Sequence, residues 1–147
     1  MDAQYIGENG FREEYFFLSN FYPTKIIYES KVYPTAEHLY ASRKAANEKD
    51  AEYVRLAETA GEAKHRGREI KCRRDWLPSV KIAVMREVVH LKFSQNDNIM
   101  GMLKDTTPLK IVEINWWGDE FFGVCGGKGY NYLGKILMEI RDGFVRL

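Results

Sequence analysis

Residues 25–46 read KIIYESKVYPTAEHLYASRKAA. The first nine, KIIYESKVY, are rich in β-branched and aromatic side chains. They suggest two short strands around a tight turn, a hairpin. Pro34 and Thr35 then break the extended pattern. Thr35 is a good helix N-cap, and AEHLYASRKAA after it consists of strong helix formers. A strand pair that runs straight into a helix sets the α+β character of the chain.

Upstream, EYFFL at 14–18 shares the strand-like composition. Downstream, EKDAEYVRLAET is expected to form a second helix ending near Gly61, and EAKHRG a short third one closed by Gly67. REIKCRRDW at 68–76 is basic and irregular. Asp75 is placed to cap the next helix, with Pro78 accepted in its first turn. That helix carries Val80, Val84, Val88 and Leu91 at helical spacing. NDNIMGMLKDT reads as a short helix with a polar cap, and LKIVEIN at 109–115 as a buried strand. The last helix starts near Asn131, with Leu133, Leu137, Ile140 and Phe144 on one face. The expected fold is α+β: a single compact, helix-rich domain over residues 1–147, with a small β-sheet whose strands lie far apart in sequence.

Composition narrows the function classes. The chain has 147 residues, of which 45% are hydrophobic, enough for one sizeable core. Lys plus Arg number 22 and Asp plus Glu 21, so no overall charge pulls the chain toward nucleic acid or membrane. No apolar run reaches the ~20 residues of a membrane span. The N-terminal MDAQYIGENG lacks the basic start and apolar stretch of a signal peptide. Cys72 and Cys125 have no C-x-x-C spacing, and His38, His65 and His90 form no ligand pattern with them. The expectation is a cytoplasmic protein with free thiols and no metal.

The most suggestive stretch for chemistry is WWGDEFFGVCGGKGYNYLG at 116–134. Its glycines allow backbone amides to approach an anion, and it feeds a helix start, whose dipole favours negative charge. Lys128 adds a cation. It is no Walker A loop, because Phe122 stands where the first glycine belongs and Gly129 where Ser or Thr belongs. A phosphate cradle and a plain surface loop fit the residues equally well.

Other positions have two readings each. Glu37 in PTAEHLY is a helix-start carboxylate, worth about 0.3–1 kcal/mol to the helix, or an acid–base group. Asp75 is a cap. Trp76 is core, or a stacking face for a base. Arg68, Arg73 and Arg74 are solvated, or bind phosphate.

Taken together, FLSNFYP at 17–23, YPTAEH at 33–38, GR at 67–68, RRDW at 73–76, MREVVHLKF at 85–93 and GKGYNYLGKILMEIR at 127–141 resemble, in order and spacing, the NADAR family, also called YbiA-like. The resemblance runs from about residue 14 to the last helix. It implies a compact α+β fold with a cleft for a phosphorylated ribosyl compound. The implied activity is N-glycosidic: hydrolysis of the bond between ribose C1 and a nitrogen of a base. Substrates of the family include riboflavin-pathway intermediates and ADP-ribosylated guanine in nucleic acid.

By motif, the family's catalytic glutamate falls on Glu37, its tryptophan on Trp76, and an acid of the WGD turn on Asp119. These three are the catalytic positions the resemblance implies, with the glycine loop expected to close over the ribose phosphate and Asp119 to reach into the same cleft. Asn20, Arg68, Arg74, Gly127, Lys128 and Asn131 are the substrate-binding positions the resemblance implies, with no cofactor and no metal. The family often carries another acid just before the WGD turn. Here Ile114, Asn115 and Trp116 stand there, and Glu113 lies just upstream. A carboxylate near C1 suits the chemistry, because C–N cleavage builds positive charge there. Two other classes stand beside this one: a non-catalytic NAD or ADP-ribose-binding module, and an interaction domain.

Overall fold

The structure is a computed structural model, and it describes residues 5–143. In chain order the elements are β1 (Tyr5–Ile6), a 3-10 helix (Glu13–Leu18), β2 (Ile26–Tyr28), β3 (Lys31–Tyr33), α1 (Ala36–Arg43), α2 (Glu48–Arg55), α3 (Ala60–Glu69), α4 (Pro78–Ser94), α5 (Asp97–Lys104), β4 (Lys110–Ile111) and α6 (Tyr132–Arg141). The architecture is the expected α+β, dominated by helices. They divide into two compact units: one holds the chain up to Ser19 and from Asn96 onward, the other Asn20–Gln95.

In the Asn20–Gln95 unit, β2 and β3 pair antiparallel, with Ile26 opposite Tyr33. Glu29 and Ser30 make the turn, both at positive φ (49° and 66°). This backbone twist suits the strands, although neither residue is the usual Asn or Gly. The outer edge of β2 is closed by a side chain. Gln95, at the end of α4, accepts from the Ile27 N–H and donates to its C=O, both at 2.8 Å. Ile26, Tyr33, Ala36, Leu39, Val84 and Val88 form the core, with Val80, Leu91 and Trp76 packed on it. The predicted α4 stripe therefore faces inward.

Two helix ends differ from expectation. Gly61 does not terminate α2. Thr59 caps α3 instead, accepting from Glu62 N–H, and Gly61 lies inside that helix. Gly67 does not close α3 either. A Cβ there would come within 3.1 Å of Ala41 Cβ, so Gly67 is where α3 presses on α1. Asp75 does not cap α4. Arg73 takes its carboxylate at 2.6 and 2.9 Å, and Leu77 occupies the cap position without a side-chain bond. A charge-assisted pair two residues away outcompetes a backbone amide.

In the other unit, β1 and β4 pair in parallel, Ile6 beside Ile111. This is the expected pairing of strands distant in sequence. The 14–18 stretch is a 3-10 helix and no strand: Phe17 and Leu18, adjacent in sequence, are both buried, which an alternating strand does not allow. The strand expected over 109–115 is regular only at Lys110–Ile111. Beyond it the backbone changes partners: Val112 N–H donates to Ile6 C=O, and Asn115 N–H to Val124 C=O. Helix α6 buries Leu133, Leu137 and Ile140 as expected. Phe144, assigned to the same face, lies outside the described residues.

Candidate functional site

The sequence-predicted residues fall in both units: Asn20, Glu37, Arg68, Arg74 and Trp76 in one, Asp119, Gly127, Lys128 and Asn131 in the other.

Glu37 sits in the first turn of α1. Thr35 begins that turn; its hydroxyl oxygen accepts from the His38 N–H at 3.1 Å. The His38 ring continues the network. Its Nε2 lies 2.9 Å from the Ala57 carbonyl oxygen, which can only accept, so Nε2 carries the hydrogen. Nδ1 is then free to accept from the Thr35 hydroxyl at 2.8 Å. Burial holds the His38 pKa below its usual value. A neutral, buried, doubly bonded imidazole is a brace for the helix start.

Glu37 is partly exposed, and its peptide N–H donates to the Asn20 carbonyl at 3.0 Å. Asn20 is thereby tied to the head of α1. Its side chain is buried, with Nδ2 pointing at Met85 Sδ, 3.3 Å away on α4. Its Oδ1 is buried with no hydrogen-bond donor. Such an atom costs about 1–3 kcal/mol if nothing satisfies it.

Trp76 is half-buried. One side meets Tyr40, ring centroids 5.5 Å apart, and the Arg73 guanidinium lies 5.9 Å from its ring centre. Arg73 is committed to Asp75, and it also donates to the Arg43 carbonyl at 3.3 Å. Arg68 and Arg74 are exposed. Of the three arginines, these two are the ones left open to an anion.

Sequence reasoning missed Lys92. It is wholly buried on α4, and burial pulls its pKa down to about 7. The ammonium lies 5.7 Å from the Tyr22 ring centre and 5.1 Å from that of Phe93. Met85 and Lys92 are seven residues apart, two turns along one face of α4. Residues 20 and 22 thus track that face, one against Met85 and the other against Lys92. The signal in sequence was a lysine inside an apolar helix stripe, MREVVHLKF, where a cation has no place without a purpose.

The glycine loop shows a different economy. Asp119 Oδ1 accepts from the Phe121 and Phe122 N–H groups at 3.0 and 2.9 Å. The Asp119 peptide is clasped by buried Asn115, whose carboxamide accepts from its N–H at 3.0 Å and donates to its C=O at 2.8 Å. Gly126 and Gly127, at φ 61° and 81°, form the corner of a tight hairpin closed by two hydrogen bonds between Cys125 and Lys128. At the start of α6, the N–H groups of Asn131, Tyr132 and Leu133 donate to the carbonyls of Gly123, Phe121 and Phe122. The loop caps the helix with its own backbone. The Asn131 carboxamide is occupied as well, accepting from Glu113 N–H at 2.9 Å and donating to Ile111 C=O at 3.0 Å. Gly134 permits this close approach: a Cβ there would sit 2.3 Å from the Ile111 oxygen. The amides of residues 131–133 are thus bonded within the loop, and the exposed Lys128 stands on its hairpin.

Among the described residues, no three His, Cys, Asp or Glu side chains converge as a metal ligand set, and no helix is long and apolar enough to cross a membrane.

A family model described as "NADAR domain" matches residues 6–145. The chain is 36% identical over 133 residues to "N-glycosidase YbiA" of Escherichia coli (strain K12), covering 88% of this chain and 82% of that protein. It is also 36% identical over 133 residues to a riboflavin biosynthesis protein of Vibrio vulnificus, covering 88% of this chain and 36% of that longer one. The NMR structure of E. coli YbiA superimposes with a TM-score of 0.84 at 34% identity, covering 97% of this chain and 86% of the other.

Proposed function

The chain belongs to the NADAR family, and from that premise we propose that it is an N-glycosidase, a hydrolase that cuts the bond between ribose C1 and a nitrogen of a base, with Glu37 as its central carboxylate. The reaction breaks the C1–N bond, returns the electron pair to the base nitrogen with a proton, and adds the hydroxyl of water to C1. Positive charge builds on C1 and the ring oxygen on the way. Glu37 stabilises that charge or takes the proton of the attacking water.

The observation that carries this reading is the construction around Glu37. Its peptide is anchored to Asn20, its helix start is braced by a neutral His38, and its carboxylate remains partly exposed. Lys92 lies against Tyr22 on the α4 face whose Met85 meets Asn20, burial lowers its pKa to about 7, and on that placement we assign it the proton that the departing nitrogen takes. Trp76 provides a stacking face for the base. Arg68 and Arg74 are the assigned phosphate contacts of their unit. Asp119 is assigned with Glu37 and Trp76 to catalysis, orienting the base or ribose, Gly127 and Lys128 to substrate binding from the glycine loop, and Asn131 to holding that loop's shape. The substrate is a ribosyl phosphate or ADP-ribosyl compound of a base, either a free metabolite of riboflavin-intermediate type or a modified guanine in nucleic acid, met in the cytoplasm.

The test is incubation with a panel of such compounds, including ADP-ribosylated guanine DNA, read by mass spectrometry for free base. Release of base from at least one member, lost in Glu37→Gln, is expected. Tight binding of NAD or ADP-ribose without release from any member would make the chain a binding module instead.

A further inference from the structure

We infer that Asn20 reads the ribose 2′-hydroxyl, so that the protein distinguishes ribosyl from 2′-deoxyribosyl compounds. This rests on the ribosyl N-glycosidase reading above and names a determinant within it.

Asn20 is only 9% exposed, yet its Oδ1 has no donor. Buried polar atoms are nearly always paired, so an orphan beside a functional carboxylate calls for an explanation. Turning the carboxamide over does not supply one. It would set Oδ1 against Met85 Sδ, acceptor against acceptor, and strand Nδ2 instead. The bond from Nδ2 to a thioether is weak, so it holds the carboxamide less firmly than an oxygen acceptor would. Its backbone is fixed, because the Asn20 carbonyl holds the Glu37 N–H at 3.0 Å. The residue with the unmet acceptor and the residue with the carboxylate are therefore joined through their backbones within the Asn20–Gln95 unit.

The missing partner must donate. An ionised phosphate and a ribose ring oxygen only accept. With Glu37 attending C1, the donor nearest to the reacting carbon is the hydroxyl on C2, one bond away. Hydrogen bonds to that hydroxyl strengthen in the transition state of glycoside cleavage, so an acceptor here contributes to rate as well as to binding.

The probes are ribose 5-phosphate and 2-deoxyribose 5-phosphate, titrated by calorimetry into the full chain. The wild type is expected to bind the ribose form at least about tenfold tighter, the scale of one well-made hydrogen bond to a buried group. Asn20→Leu, which keeps the volume and removes the acceptor, is expected to weaken the ribose form to the level of the deoxy form and leave the deoxy form unchanged. Asn20→Asp keeps an acceptor and is expected to retain the preference, which covers the case in which the leucine variant does not fold. Equal binding of both sugars by wild type, or an equal loss for both in the variants, would make Asn20 a packing residue and overturn the inference. Wild type that binds neither sugar, and frees base from nothing in the panel, would overturn the ribosyl reading itself. Base release with an unaltered preference in Asn20→Leu would sink only the role of Asn20.

Discussion

Helices α1 and α6 both have amides at their starts bonded from outside the helix, but by different means. At α1 the Glu37 N–H goes to a carbonyl from outside the helix, that of Asn20, and the His38 N–H goes to the Thr35 side chain. The acidic residue at that start projects a partly exposed carboxylate, next to a residue with an unmet buried acceptor. At α6 the donors go to the carbonyls of the glycine loop itself, and the one polar side chain at the start, Asn131, is bonded at both ends. The first start presents a partly exposed carboxylate beside an unmet acceptor; the second is closed by the carbonyls of its own loop. A glycine-rich run before a helix can cradle an anion or fold back and cap the helix, and only the destination of each N–H separates the two.

If this contrast is right, the largest effects on turnover belong to the Asn20–Gln95 unit. Lys92→Met keeps the volume and removes the amine. Turnover is expected to fall at least about 100-fold, the scale of losing one acid–base group. Stability should move the other way. Folding lowers the lysine pKa from 10.5 to about 7. Between those values the unfolded chain holds a proton that the folded one has released, so wild-type stability rises with pH across that window. Below about pH 7 the cost of burying the charge is fully present. Melting curves should therefore show Lys92→Met gaining most over wild type below pH 7, with the gain shrinking toward pH 10. A constant difference across that range would mean that Lys92 is not titrating as the fold implies.

Asn131→Ala should be the largest stability loss at the two helix starts, about 2–4 kcal/mol by denaturant unfolding. It strands the Glu113 N–H and the Ile111 carbonyl, and it places alanine at φ 55°. Thr35→Ala removes one cap and should cost about 1 kcal/mol. Equal losses would erase the distinction between a latch and a cap.

The smallest expected effect is that of Lys128→Ala. Exposed on the hairpin corner, it should leave stability unchanged within about 0.5 kcal/mol. The calorimetric affinity for ribose 5-phosphate should fall less than in Arg74→Ala. A larger loss from Lys128 than from Arg74 would return the phosphate to the glycine loop.

Some of this was legible in the sequence and some was not, for identifiable reasons. The hairpin, the α1 cap at Thr35 and the α4 stripe depend on residues close in sequence, and periodicity exposed them. Asp75 misled because a cap preference is local, and the competing Arg73 wins through a stronger charged pair. EYFFL misled because a short apolar run carries no period to tell a strand from a helical turn. Gly67 looked like a terminator, yet the structure uses it for contact with Ala41, a neighbour remote in sequence. At the site, Glu37 was reachable by motif. The orphaned Oδ1 of Asn20 arises from its packing against α4, which no local pattern encodes, whereas the burial of Lys92 was signalled locally by its place in the apolar stripe of that helix.

The central claim is that Glu37 does chemistry and is more than a helix-start charge, and a single variant tests it most directly. Glu37→Gln keeps shape and hydrogen bonding and removes the negative charge. With a compound from which wild type releases base, single-turnover rate and melting temperature would be measured on the same preparation. The expected result is a rate lower by at least about 100-fold, with stability changed by no more than about 1 kcal/mol. A variant that turns over normally while losing that small amount of stability would contradict the account and pass the role to Asp119 or Glu113.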